Sequence, residues 1–561
     1  MNAPFSRRDF LKSAALAALG PALYGPPEIS AAPSFDLVVK GGTVLDGTGA
    51  PAWQADLGIR GDTIAAVGEV DPGQGRRVLL ASGLQVCPGF IDIHTHSDGE
   101  ILVYPAGESR VYQGITTELT GNCGGSAAPL TGVDAEKRRR QLLEDEEIQA
   151  DWTDTASYFA RVEQEGISLN HAMLLGQGTL RANAIGAVDR PLSAGELQEV
   201  VRAVEEGMDQ GAMGLSTGLE YVPGSYTPTE ELVAMARAVA RRGGLYASHI
   251  RDEGAGLLEA VNEQVEIGRL AGVRVEISHF KAAGRPNWNK QAAALSLVEA
   301  ARSAGVEVLA DAYPYPVYST SLTIYLPAWA REGSEEDIVA RVKDKDQRSR
   351  IRAEVEVQVH NDPGDYDLVV ITRVKTDKNK PLIGKNLAEV ARGWNLEPVD
   401  AVLRLLVEEQ TRVEMVGYGM APENVEMVLA HPLVMVGSDG HVMAPRGKMD
   451  QARPHPRSYG TCPRVLGYYC RERKIFDLPT AVKKMTSMPA DQMGLSDRGR
   501  IARGMKADLV VFDAATVRDT ATFQDPHQYP AGIGYVLVNG VPVVEQGKHT
   551  GARPGRVLRK S

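Results

Sequence analysis

The chain has 561 residues, 43% hydrophobic and 24% charged, close to globular averages and long enough for one barrel-sized core with additions. A formal net charge of -11 without a long basic run argues against nucleic acid as the main partner, and four cysteines are too few for a disulfide-built scaffold. There is no Walker-type glycine loop, and Gly176-Gln177-Gly178 is too incomplete for a dinucleotide site.

In chain order, Ser6-Arg7-Arg8-Asp9-Phe10-Leu11-Lys12 and the mildly apolar run from Ser13 to Gly20 read as a twin-arginine signal peptide over residues 1–32. Ser30-Ala31-Ala32 is the cleavage zone, and the apolar run is too short for a stable membrane span. The twin-arginine export machinery is the expected partner, and the periplasm or exterior the expected location. From Phe35 to about Ala81, β-prone runs such as Leu37-Val38-Val39-Lys40 alternate with glycine turns, as they do again around Ala507 to Asp513 and Gly534 to Gly540. These two ends, 33–84 and 491–561, are expected to form a small β-sandwich domain. Between them, over 85–490, strands alternate with helical stretches such as Ala194 to Gln210 and Leu257 to Ala271. That is the pattern of parallel βα units and predicts an α/β fold, a (β/α)8 TIM-like barrel with its site at the C-terminal strand ends. An insertion at about 320–424 exceeds one βα loop, and carries a strand candidate from Tyr366 to Val374 and two amphipathic helices. It either shapes the active site or makes an oligomer contact.

The residues suited to metal chemistry fall at the ends of apolar runs. The run from Leu84 to Ile93 ends in His94-Thr95-His96, whose two imidazoles lie two residues apart and so share a face on an extended chain. Thr116 to Thr120 leads into Gly121-Asn122-Cys123-Gly124, where the glycines permit close backbone approach to an ion or ligand. Leu245 to Ser248 ends in His249, Val273 to Ser278 in His279, and Leu433 to Ser438 in Asp439. Imidazole, thiolate and carboxylate are the usual zinc ligand types. His360, His527 and His549 read as surface residues. Cys87 reads as a packed residue, and pairing of Cys462 with Cys470 is left open.

Together, His94-Thr95-His96, Gly121-Asn122-Cys123-Gly124, Ser248-His249, Ser278-His279-Phe280-Lys281 and Gly437-Ser438-Asp439 resemble the amidohydrolase superfamily, and within it the N-acyl-D-amino-acid deacylases, or D-aminoacylases. The resemblance runs from about Phe35 to the C-terminus. Many superfamily members bridge two metals with a carboxylated lysine at the fourth strand; Gly211 to Tyr221 holds no lysine, and Cys123 matches the cysteine that serves D-aminoacylases instead.

The resemblance implies a Zn2+ ion held by Cys123, His249 and His279, with Asp439 as general base. His94 and His96, sharing Asp439, would either form a second, weaker metal position or orient the carbonyl. Lys281, Tyr313, Ser319 and Arg457 would meet the substrate carboxylate. Loading before export as a folded protein would capture the Cys123 thiolate before it meets an oxidising compartment. Three readings follow: a hydrolase of N-acyl-D-amino acids, an L,D-dipeptidase of the same subgroup, and a catalytically silent metal-binding scaffold.

Overall fold

The computed structural model describes residues 34–447 and 451–560, so the expected leader over 1–32 lies outside the described residues. Among them, eight parallel strands make the central barrel: β1 (Phe90–Asp92), β2 (Ile115–Thr120), β3 (Asn170–Met173, continued by Leu175–Gly176), β4 (Gly214–Gly218), β5 (Leu245–His249), β6 (Arg274–Ile277), β7 (Val308–Ala312) and β8 (Val434–Val436). The ring closes where β8 returns to β1: Asp439 N donates to His94 O at 2.8 Å and His96 N to Gly440 O at 2.9 Å.

Period-two alternation explains the barrel's two cores. Leu245 and Ala247 of β5 pack with Ile91, Leu119, Ala172 and Met435 from other strands, which places all of them inside the barrel. Tyr246, between them, packs outward with the helices. Each such buried Leu, Ile or Met contributes about 1.5–3 kcal/mol. The outer helices begin and end where local chemistry dictates. Ser193 and Glu196 form a reciprocal capping box before Ala194–Asp209, and Leu257–Ala271 stops at Gly272, whose φ of +66° suits glycine.

The two chain ends join in one nine-stranded sheet. Leu509–Phe512 pairs antiparallel with Gln85–Pro88, which continues to Leu37–Val44 and Trp53–Arg60. Its core, with Leu37, Leu57, Ile64, Leu509 and Leu537, is separate from the barrel's.

Between β7 and β8 the insertion has its own core, built around Leu322, Ile351, Val369, Leu405 and Met415. It holds more than the sequence suggested: three antiparallel strands, Tyr318–Ser321, Val413–Gly417 and Val369–Val374, and four helices, Glu335–Lys343, Lys345–Asn361, Leu387–Trp394 and Pro398–Glu408. The expected strand from Tyr366 starts only at Val369, because Asp365 caps a short 3-10 turn over Tyr366–Leu368. All four cysteines are free, so Cys462 and Cys470 do not pair. No helix among the described residues is long and apolar enough to cross a membrane.

Candidate metal centre

The strand ends deliver a compact cluster. His249 closes β5, and His94 and His96 follow β1. Cys123 lies just past β2, His279 just past β6 and Asp439 just past β8. Cys123 Sγ is 3.4 Å from both His94 Nε2 and His279 Nε2; Asp439 Oδ1 is 3.0 Å from His96 Nε2 and 3.6 Å from His94 Nε2. Four overlapping groups of possible ligands result among the described residues: His94 with Cys123 and His279, His94 with His96 and Asp439, His249 with Glu253 and His279, and His94 with Glu276 and Asp311. Cys123, His279 and Asp439 all have positive φ (50°, 36° and 51°), conformations that cost energy for residues with a β-carbon and that gather at functional sites.

The glycines beside Cys123 serve a different approach from the one expected. A β-carbon at Gly121 would meet Leu174 O, and one at Gly124 would meet Gly218 N. They let the loop pack on the ends of β3 and β4, which is what brings the sulfur over the barrel mouth.

Carboxylates behind the imidazoles decide which nitrogens face the centre. Asp311 Oδ2 contacts His94 Nδ1 at 3.1 Å, Glu220 Oε2 contacts His249 Nε2 at 2.9 Å, and Glu253 Oε1 contacts His279 Nδ1 at 2.9 Å. The remaining nitrogen of His249, Nδ1, is buried with no hydrogen-bond partner. A buried imidazole nitrogen that is unpaired while its opposite N–H is held by a carboxylate is the arrangement of a metal ligand. With a thiolate and further imidazoles beside it, the donor set fits a divalent ion of the zinc type.

The charges tell the same story. Burial pushes the Cys123 thiol up, but the charge of His94 and His279 and the hydrogen bond from His279 hold it well below the usual thiol range. Burial also raises Asp439, yet Arg457, His96 and His94 hold it well below the carboxylate range. Conversely, burial opposes protonation of His96 and His249, but Asp439 and Cys123 raise the first to about 9, and Glu253, Cys123 and Glu220 the second to about 10. This is a concentration of negative charge that protons neutralise when no cation does.

Around the cluster, Lys281 is only 5% exposed and its ammonium is held by Glu253 at 2.6 Å and by His279 O at 3.2 Å. Arg457 Nη1 stands 2.7 Å from Asp439 Oδ2 without hydrogen-bond alignment, so its buried N–H still lacks an acceptor. Tyr313 lies between these cations, 4.9 Å from Arg457 and 5.9 Å from Lys281. The Ser319 hydroxyl donates to Met415 O at 3.2 Å, and Ser319 lines the same cavity as Lys281, Tyr313 and Asp439.

Sequence reasoning passed over Glu220, Glu253 and Asp311, although each is a carboxylate at or just beyond a strand end, the signal that found Asp439. Two histidines read as surface residues are half-buried: His527 contacts Tyr459 Oη, and His549 contacts Ala106 O.

A (β/α)8 barrel with a thiolate, imidazoles and a carboxylate converging at its C-terminal rim defines a metal-dependent hydrolase. The model of the amidohydrolase family matches residues 78–544. The chain is 39% identical over 528 residues to N-acyl-D-glutamate deacylase and 37% identical over 527 residues to D-aminoacylase, both of Alcaligenes xylosoxydans xylosoxydans; each alignment covers 94% of this chain, and 97% and 98% of the relatives. The crystal structure of N-acyl-D-glutamate deacylase from Bordetella bronchiseptica, complexed with zinc and a phosphonate inhibitor, superposes with a TM-score of 0.80 at 36% identity, covering 94% of this chain and 99% of that one. The chain therefore belongs to the amidohydrolase family, in its N-acyl-D-amino-acid deacylase (D-aminoacylase) branch.

Proposed function

We propose that this enzyme hydrolyses the amide bond of N-acyl-D-amino acids, releasing a carboxylate and a free D-amino acid, with zinc at the centre. The observation that carries the reading is the buried, unpaired His249 Nδ1 beside Cys123 and His279, in a chain whose full-length relatives are deacylases of this class. Cys123, His249 and His279 would hold the ion, and His94 and His96 with Asp439 a second position. Bound zinc supplies Lewis acidity to the acyl carbonyl and makes water a better acid.

The chain's own groups do the rest. Asp439, kept ionised by Arg457, takes the proton of the attacking water and gives it to the departing amine nitrogen. Lys281 and Arg457, on either side of Tyr313, form a cationic corner for the carboxylate next to the scissile bond, with Ser319 further along that wall. Glu220, Glu253 and Asp311 hold the histidine rings in register.

A second reading, cleavage of aminoacyl-D-amino acids, is favoured by the cleft on the far side of Cys123 and Gly124. Its volume of about 1220 Å³ exceeds what an acetyl group needs. The run around Arg7 and Arg8 supports export of the folded enzyme. Amino-acid release by the zinc-loaded protein from matched N-acetyl-D-amino acids, N-acetyl-L-amino acids and L,D-dipeptides tests the assignment. Turnover of the acetyl-D set supports deacylation, turnover of dipeptides alone supports the second reading, and turnover of the L set refutes both.

A further inference from the structure

The cavity over the metal centre, about 80 Å³, continues past Lys281 and Tyr313 into the insertion, where Tyr318, Tyr325, Gln358 and Asp362 line it opposite Glu220. Asp362 is in an electrostatically poor position. It follows the last residue of the helix Lys345–Asn361, whose C-terminal end carries partial negative charge, and its backbone N–H caps that helix by donating to Gln358 O. Its Oδ1 is buried and accepts no hydrogen bond. A β-carbon at position 419 would clash with that oxygen, so the Gly419 backbone packs directly against it without giving it a hydrogen bond. The Tyr318 hydroxyl is a hydrogen-bonding neighbour, and the nearby charge of Glu220 is repulsive. Lys281, the cation of this wall, is already engaged by Glu253 and His279 O. Burial, with Glu220 adding to it, lifts the Asp362 carboxyl to about 7. A buried carboxylate at a helix C-terminus, facing another carboxylate and short of a donor, is stabilised by one kind of visitor, a cation.

We propose that Asp362, with Glu220 lining the same cavity, is a specificity residue that selects substrates whose D-amino-acid half carries a cationic side chain. The inference rests on the deacylase reading and deepens it. The cation is placed on the amino-acid half because one cavity holds both Asp362 and the corner of Lys281 and Tyr313 assigned to the substrate carboxylate, whereas the wide cleft beside Cys123 receives the acyl half. It sets this chain apart from its relative named for D-glutamate, whose side chain would meet like charge here.

The test compares kcat/KM of the zinc-loaded enzyme for N-acetyl-D-arginine and its neutral near-isostere N-acetyl-D-citrulline, with N-acetyl-D-methionine, N-acetyl-D-glutamate and L-alanyl-D-alanine alongside. The arginine derivative should exceed the citrulline derivative by about tenfold or more, as expected where a buried charged group otherwise stays unpaired. In Asp362→Asn that ratio should fall toward one. A ratio near one in the unmodified enzyme, or faster turnover of the glutamate derivative, would overturn the proposal. So would an arginine preference that survives in Asp362→Asn. If that variant does not fold, the ratio in the unmodified enzyme decides alone. Dipeptide turnover that depends on Asp362 without an arginine preference would put the cation on the acyl half and overturn the placement. Failure to cleave the methionine derivative at all would instead refute the deacylase reading, and this inference with it.

Discussion

Glu220 and Glu253 each hold one of the histidines proposed as metal ligands, but in different surroundings, so truncating them separates a positioning role from general charge loss. Glu253 is 8% exposed in its side chain and contacts both His279 and Lys281; Glu220 is 35% exposed and contacts His249. Losing a carboxylate behind a metal-bound imidazole typically lowers metal affinity by about 10–100-fold. In Glu220→Ala water reaches the vacated place and replaces part of the hydrogen bond, so zinc affinity should fall about tenfold, or about 1.4 kcal/mol. In Glu253→Ala the less exposed site admits less water and Lys281 is left beside His279 without its counter-charge, so the loss should approach about 100-fold, with lower thermal stability as well. Competition with a chromogenic chelator at fixed pH reads both affinities, and circular dichroism confirms folding. Equal losses, or none, would refute the view that these carboxylates fix the ligand nitrogens.

Asp439→Asn should lower kcat by about 10²–10⁴-fold while the protein still binds zinc, measured by steady-state hydrolysis alongside metal analysis; near-normal turnover would remove Asp439 as the base. Lys484, 1% exposed beneath the barrel, is pushed down to about 7 by burial and donates to His431 O and Val434 O, two acceptors that a neutral amine's two N–H groups satisfy. Between pH 7 and the ordinary lysine range the unfolded chain binds the extra proton, so stability should rise with pH there. Lys484→Met should flatten that rise in Tm against pH, and an unchanged slope would contradict it. Replacing Arg7 and Arg8 together by lysine should retain the enzyme in the cytoplasm, which cell fractionation and immunoblotting read directly; unchanged export would end the twin-arginine assignment.

The barrel was legible because its signals are local. In Leu245 to His249 the period-two pattern, the strand end and the ligand sit within five residues, and the Ser193 and Glu196 capping box announces its helix. What stayed hidden depends on pairing across long separations. Val369–Val374 finds its neighbour about 40 residues on, in Val413–Gly417, so the insertion looked like one strand rather than a sheet. The support of His249 comes from another strand end, at Glu220, and Arg457 meets Asp439 only because the chain folds back over the barrel mouth. Asp362 had no local signal, since its position is unfavourable only once the helix end, Glu220 and the cavity surround it.

Dependence of N-acyl-D-amino-acid cleavage on zinc at this centre is measured by stripping the protein of metal, adding zinc stepwise, and following hydrolysis of N-acetyl-D-methionine and its L enantiomer. Activity that returns with the first equivalent of zinc, for the D enantiomer alone, is the predicted result. Full activity in the stripped protein, or equal cleavage of both enantiomers, would contradict it.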